Sequence, residues 1–203
     1  MTLRQREVST LILLALLGGG LLVAVQQLAA PRIEQQHQAA AERRLLDLLP
    51  AGSYDNHPLN QPIALPVGGL LGNPTAEHAY QARLNGQLSA VLLPVTARGY
   101  VGPIKLLVAI SADGRLLSSK VLQQQETPGL GDKLERQRSP WLQGFDGKSL
   151  SDDAASWTLR SEAGEVDQIA GATVTSRAAA DALQRALRFF DQQRDYLLKA
   201  QQP

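Results

Sequence analysis

Residues 79–95, AYQARLNGQLSAVLLPV, alternate apolar and polar side chains on either side of Asn85-Gly86, and how they are read decides the fold. An Asn-Gly pair accepts the positive φ angles of a two-residue hairpin turn, so the two arms are expected to pair as antiparallel strands. Residues 104–122, IKLLVAISADGRLLSSKVL, repeat the arrangement around Asp113-Gly114. Together they give roughly four antiparallel strands with an apolar face that needs a cover.

Residues 176–200, SRAAADALQRALRFFDQQRDYLLKA, supply that cover. Ala179, Ala182, Leu183, Ala186, Leu187 and Phe190 recur at i, i+3, i+4, i+7, i+8 and i+11, which makes one stripe of an amphipathic helix. The expected class is α+β: an antiparallel sheet with flanking helices and a long C-terminal helix. Between sheet and helix, a Pro-Gly turn at 128–129 precedes a short helical pattern around Asp132 to Arg138. Trp141 and Trp157 are read as core. Residues 51–76, with Pro58, Pro62, Pro66, Pro74 and several glycines, are read as an irregular connector.

Ahead of this domain, residues 8–25 (VSTLILLALLGGGLLVAV) carry no charge, and none is met until Arg32. A bilayer core takes about 20 apolar residues in a helix, and a signal-peptide core is shorter, so the run is expected to be one N-terminal transmembrane helix. Arg4 and Arg6 precede it and direct the N-terminus inward, placing the rest of the chain on the outer, periplasmic side of a bacterial inner membrane. The expected layout is a cytoplasmic tail at 1–7 and a transmembrane helix at 8–30. A juxtamembrane helix (Ile33 to Leu49) and the connector fill 31–76, and the soluble domain occupies 77–203.

Charge and composition narrow the function. Twenty Lys and Arg nearly balance nineteen Asp and Glu, leaving no basic footprint for nucleic acid. The absence of cysteine removes thiolate catalysis, Fe–S ligation and Cys-bound zinc. His37, His57 and His78 are isolated in sequence, so no metal site is expected. No catalytic residue is assigned.

The chemistry-bearing stretch is residues 170–176, AGATVTS, directly before the long helix. Thr175 and Ser176 are natural N-caps. Gly171-Ala172 leaves the backbone open, a helix N-terminus offers N–H donors to an anion, and Arg177 adds charge, so the loop reads as a phosphate seat. Without an adjacent base Thr173 is a poor nucleophile, and it is read as a site of modification by another enzyme.

Asp167-Gln168-Ile169-Ala170-Gly171-Ala172-Thr173 resembles the flavinylation motif of the FMN-binding domain family, with Ala170 where that family prefers Ser or Thr. The resemblance implies FMN joined covalently, through its phosphate, to Thr173 by a separate Mg-dependent flavin transferase. Asp167, Gly171, Ala172, Thr175, Ser176 and Arg177 would surround the linkage. Two further stretches fit: ETPGLGDK (126–133), implying cofactor contacts from Glu126, Thr127, Gly129, Leu130 and Gly131, and Tyr100 to Ile104, implying one from Tyr100.

The chain as a whole is similar to the G subunits of Rnf (Rsx) electron transport complexes. That likeness implies an electron-relaying flavoprotein subunit, with an integral membrane flavoprotein, an Fe–S subunit and other membrane subunits as partners. The C subunit of the sodium-translocating NADH:quinone oxidoreductase shares the domain, and a non-redox assembly subunit is the rival of another class.

Overall fold

A computed structural model describes Gln26 and residues 45–199. The chain divides into two compact units, residues 1–46 and 47–203. In the first, Gln26, Leu45 and Leu46 are helical; the expected span at 8–30 and most of the expected juxtamembrane helix lie outside the described residues. Among the described residues no helix is long and apolar enough to cross a membrane.

The second unit is built on one five-stranded antiparallel sheet in sequential order: β1 (Ile63–Leu65), β2 (Glu77–Leu84), β3 (Gln87–Arg98), β4 (Pro103–Ser111) and β5 (Leu116–Gln123). Asn85 (φ 51°) and Gly86 (φ 76°) turn β2 into β3, as the sequence predicts for a type I′ hairpin. Gly114 (φ 90°) closes the second predicted turn, from β4 into β5. A further connection, Gly99 to Gly102, joins the two hairpins, with the Gly99 N–H donating to the Gly102 carbonyl at 2.8 Å.

The fifth strand is a departure from expectation. β1 arises inside the stretch read as an irregular connector, where Ile63 and Leu65 point inward around Ala64 and pair with Ala79 and Glu77 of β2. Three residues are too short for alternation to stand out in a proline-rich sequence, and the pairing supplies what the periodicity lacks. Part of the connector is also bound to the core. Arg185 donates to the Leu70 and Thr96 carbonyls at 2.7 and 3.0 Å, and the buried Asn73 amide donates to the Pro94 carbonyl at 2.9 Å. Burial lowers the Arg185 pKa, and nearby Asp181 opposes that shift.

One face of the sheet carries Val91, Leu93, Val95 and Ala97 of β3 beside Ile104, Leu106, Val108 and Ile110 of β4. It packs against α1 (Thr173–Gln192), whose predicted stripe of Ala179, Ala182, Leu183, Ala186, Leu187 and Phe190 is buried throughout. The opposite face is apolar as well: Ala90, Leu92, Leu107 and Ala109 are fully or almost fully buried. Residues 47–48 are tied to β5 on that side through Ser118, which donates to the Leu48 carbonyl at 2.6 Å, and through a Lys120–Asp47 ion pair. After α1, a short helix α2 (Arg194–Lys199) ends the described chain.

Between β5 and α1 the helical elements are short 3-10 turns, at Gly131–Leu134, Trp141–Phe145, Ala154–Trp157 and Arg160–Glu162. An aromatic cluster replaces regular structure here. Phe145 stacks on Trp157 with ring centroids 5.7 Å apart and meets Trp141 edge-on at 5.1 Å. Trp157 is core, as read from the sequence; Trp141 is half-buried, and its indole N–H donates to the Asp167 carbonyl at 2.5 Å.

Candidate functional site

Three separate chain segments converge at the N-terminal end of α1. Gly171 (φ 77°) turns the chain into the helix, and a Cβ added there would lie 2.9 Å from Cδ2 of Leu130, so only glycine fits against the ETPGLG loop. That loop is itself a type II turn: Pro128 and Gly129 (φ 79°) are its central residues, and the Leu130 N–H donates to the Thr127 carbonyl at 3.1 Å. The third segment is the Gly99–Gly102 connection between the hairpins.

Glu126 links all three. Its side chain is only 5% exposed. One carboxylate oxygen, Oε1, accepts the N–H groups of Val101 and Gly102 at 3.0 and 3.4 Å. The other, Oε2, accepts the Tyr100 N–H at 3.2 Å and the Thr175 hydroxyl. Gly99 and Gly131 leave room for it: a Cβ at Gly99 would collide with the carboxylate, and one at Gly131 would lie 2.7 Å from the Glu126 Cβ. A carboxylate accepting several N–H and O–H groups makes charge-assisted bonds roughly twice as strong as neutral ones.

Around this knot lies an open cleft of about 460 Å³, lined by Tyr100, Glu126, Thr127, Leu130, Gly131 and residues 171–175. Pockets of roughly 300–1,000 Å³ are of the size that holds cofactors. Nine of the thirteen residues singled out from the sequence thus line one cleft: Tyr100, Glu126, Thr127, Leu130, Gly131, Gly171, Ala172, Thr173 and Thr175. Val174, 45% exposed at its rim, is a tenth wall residue that sequence reading missed, because a valine at a helix start carries no chemical signal.

The other four sit elsewhere. Gly129 shapes the turn behind Leu130 without lining the cleft. Ser176 is buried beneath it, accepting the Ile169 N–H at 3.0 Å and donating to the Ala172 carbonyl at 2.9 Å. Arg177 points away and pairs with Glu162, so among the described residues the expected counter-charge for a phosphate is absent from the cleft. Asp167 is exposed, pairs with Arg160 at 3.2 Å, and borders a separate groove beside Trp141 and Lys148. Burial lowers the Lys148 pKa, with Glu165 and Asp152 opposing it.

The capping expectation also changes. The helix begins at Thr173, two residues before the first predicted cap, with Ala172 in the cap position and no side-chain cap bond. Thr175 and Ser176 spend their hydroxyls on Glu126 and on the 169–172 turn instead. Of the three hydroxyls in the GATVTS stretch, only that of Thr173 makes no hydrogen bond among the described residues, and it faces the cleft from the first helical position.

Comparison with known proteins bears on the same residues. The family model of the FMN-binding domain matches residues 99–188, a span that begins at the Gly99 connection and encloses every residue lining the cleft. The G subunit of the ion-translocating oxidoreductase complex of Pseudomonas aeruginosa (strain UCBPP-PA14) is 50% identical over 195 residues, covering 95% of this chain and 91% of that protein. Its namesake from Vibrio cholerae serotype O1 (strain M66-2) is 37% identical, covering 92% and 90%. Among solved structures, Shewanella oneidensis NqrC is similar with a TM-score of 0.48 and 24% identity, over 66% of this chain and 70% of that one. With half its residues shared along nearly its full length, the chain belongs to the family of ion-translocating oxidoreductase complex G subunits and carries that family's FMN-binding domain.

Proposed function

We propose that the chain is a membrane-anchored, electron-carrying subunit of an Rnf-type ion-translocating complex, with FMN held as a phosphoester on Thr173. The single observation that carries this reading is the contrast among three neighbouring hydroxyls. Thr175 and Ser176 are buried and bonded within the protein, whereas Thr173 opens into the cleft with its oxygen uncommitted.

The residues present fit such a group. The cleft has cofactor size, and the first N–H groups of α1 have no intrahelical partners to compete with a phosphate oxygen. FMN, when attached, supplies the one- and two-electron chemistry that a chain without cysteine lacks. The protein's own residues supply position. Thr173 would bear the link, Leu130, Tyr100 and Val174 would offer apolar contact, and Glu126 would fix the walls.

The layout proposed with it is a cytoplasmic tail at 1–7, a span at 8–30, a juxtamembrane helix and connector at 31–76 whose residues 63–65 join the sheet, and a periplasmic FMN-binding domain at 77–203. A flavin transferase would mature it, and an integral membrane flavoprotein, an Fe–S subunit and other membrane subunits would assemble with it. Intact mass and in-gel flavin fluorescence of the chain co-expressed with a flavin transferase test the linkage. An FMN adduct is expected in the parent and in Thr175→Ala, and none in Thr173→Ala. Retention of the adduct in Thr173→Ala would remove the proposal. Active alkaline phosphatase fused after Pro203 is the expected sign of outward orientation.

A further inference from the structure

The Glu126 carboxylate satisfies a row of backbone N–H groups beside the cleft, and we propose that it acts as a resident anion that denies the cleft to the phosphate of unattached FMN. The inference rests on the FMN reading above and concerns what the chain recognises before the link is made. Three consecutive backbone N–H groups, Tyr100 to Gly102, form the kind of concave donor nest that binds anions. All three are already satisfied by the Glu126 carboxylate, which also takes the Thr175 hydroxyl at the third position of α1. No lysine, arginine or histidine is among the described residues lining the cleft, and Arg177 is paired with Glu162 outside it.

Magnitudes decide the sign. The N-terminus of a helix is equivalent to roughly half a positive charge. A carboxylate carries a full negative charge, and a phosphate monoester carries about −1.5 to −2 at neutral pH. The dipole therefore cannot offset Glu126, and a free FMN phosphate meets net repulsion in a partly desolvated site, where opposition between like charges is strong. Once esterified to Thr173 the phosphate is a diester with one negative charge. The repulsion is then smaller, and it acts on a group that cannot leave. The built-in carboxylate thus makes retention depend on the covalent link, and recognition of a loose flavin falls to its ring rather than its phosphate.

The test uses the full-length chain in detergent, made in cells without a flavin transferase and titrated with FMN and with riboflavin by equilibrium dialysis. In the parent, FMN is expected to bind no more tightly than riboflavin. In Glu126→Gln, the ratio of FMN to riboflavin affinity is expected to rise roughly tenfold. Tenfold preference for FMN in the parent overturns the proposal, as does a Glu126→Gln chain that binds both flavins equally changed or binds neither. Should Glu126→Gln fail to fold, the parent's salt dependence decides. Raising salt should improve FMN binding relative to riboflavin, and the opposite trend overturns the proposal. Intact mass after co-expression with the transferase separates the two claims: an adduct with a failed titration sinks the resident anion alone, whereas absence of adduct sinks the FMN reading.

Discussion

Gly86 and Gly171 have nearly the same backbone conformation, φ 76° and 77°, yet they belong to regions built on different logic. Around Gly86 there is nothing within 4 Å of where a Cβ would stand; around Gly171 the side chain of Leu130, forty-one positions earlier in the chain, fills that space. The hairpin turn is specified by its own two residues. The turn beside Thr173 is specified by a partner brought to it by the rest of the fold.

Substitutions separate the two regions, with the largest effect expected at a core residue of α1. Phe190 is buried under the sheet on the helix that presents Thr173, and Phe190→Ala should cost about 3–5 kcal/mol in urea unfolding. Loss of the site with the hairpins unaffected would show the regions to be independent. Gly171→Ala should cost about 2–3 kcal/mol, joining left-handed strain to overpacking against Leu130, and should reduce flavin attachment. Gly86→Ala meets the backbone term alone, about 1 kcal/mol, with attachment unchanged. Equal costs for the two glycines would erase the distinction. Between the two glycine costs, Thr175→Val should lose about 1.5 kcal/mol by leaving a Glu126 oxygen short of a donor. Thr173→Val should change stability by less than about 0.5 kcal/mol while abolishing attachment.

What could be read from the sequence divides in the same way. The Asn85-Gly86 and Asp113-Gly114 turns, and the stripe on residues 179–190, are local patterns, and each lies where the periodicity places it. β1 is not legible, because three residues among prolines become a strand only by pairing with β2. At the site, residues 100, 126, 127, 130, 131 and 171–175 converge on one cleft. Their separate duties depend on geometry that no spacing encodes. Nothing in GATVTS indicates that Thr175 turns inward to a carboxylate forty-nine residues away while Thr173 stays open. Arg177 has the charge of a phosphate partner, but Glu162, fifteen residues back on an irregular turn, holds it.

The strands lie side by side in the order in which they are synthesised, so the sheet can zip up from contacts between sequence neighbours, a topology that folds readily. Glu126 comes after the last strand, but its fourth donor arrives only with α1, nearly fifty residues later. Thr173 is consequently displayed in its final setting only by a chain in which that helix has docked. If the proposed transferase reads this setting, it would inspect the product before labelling it.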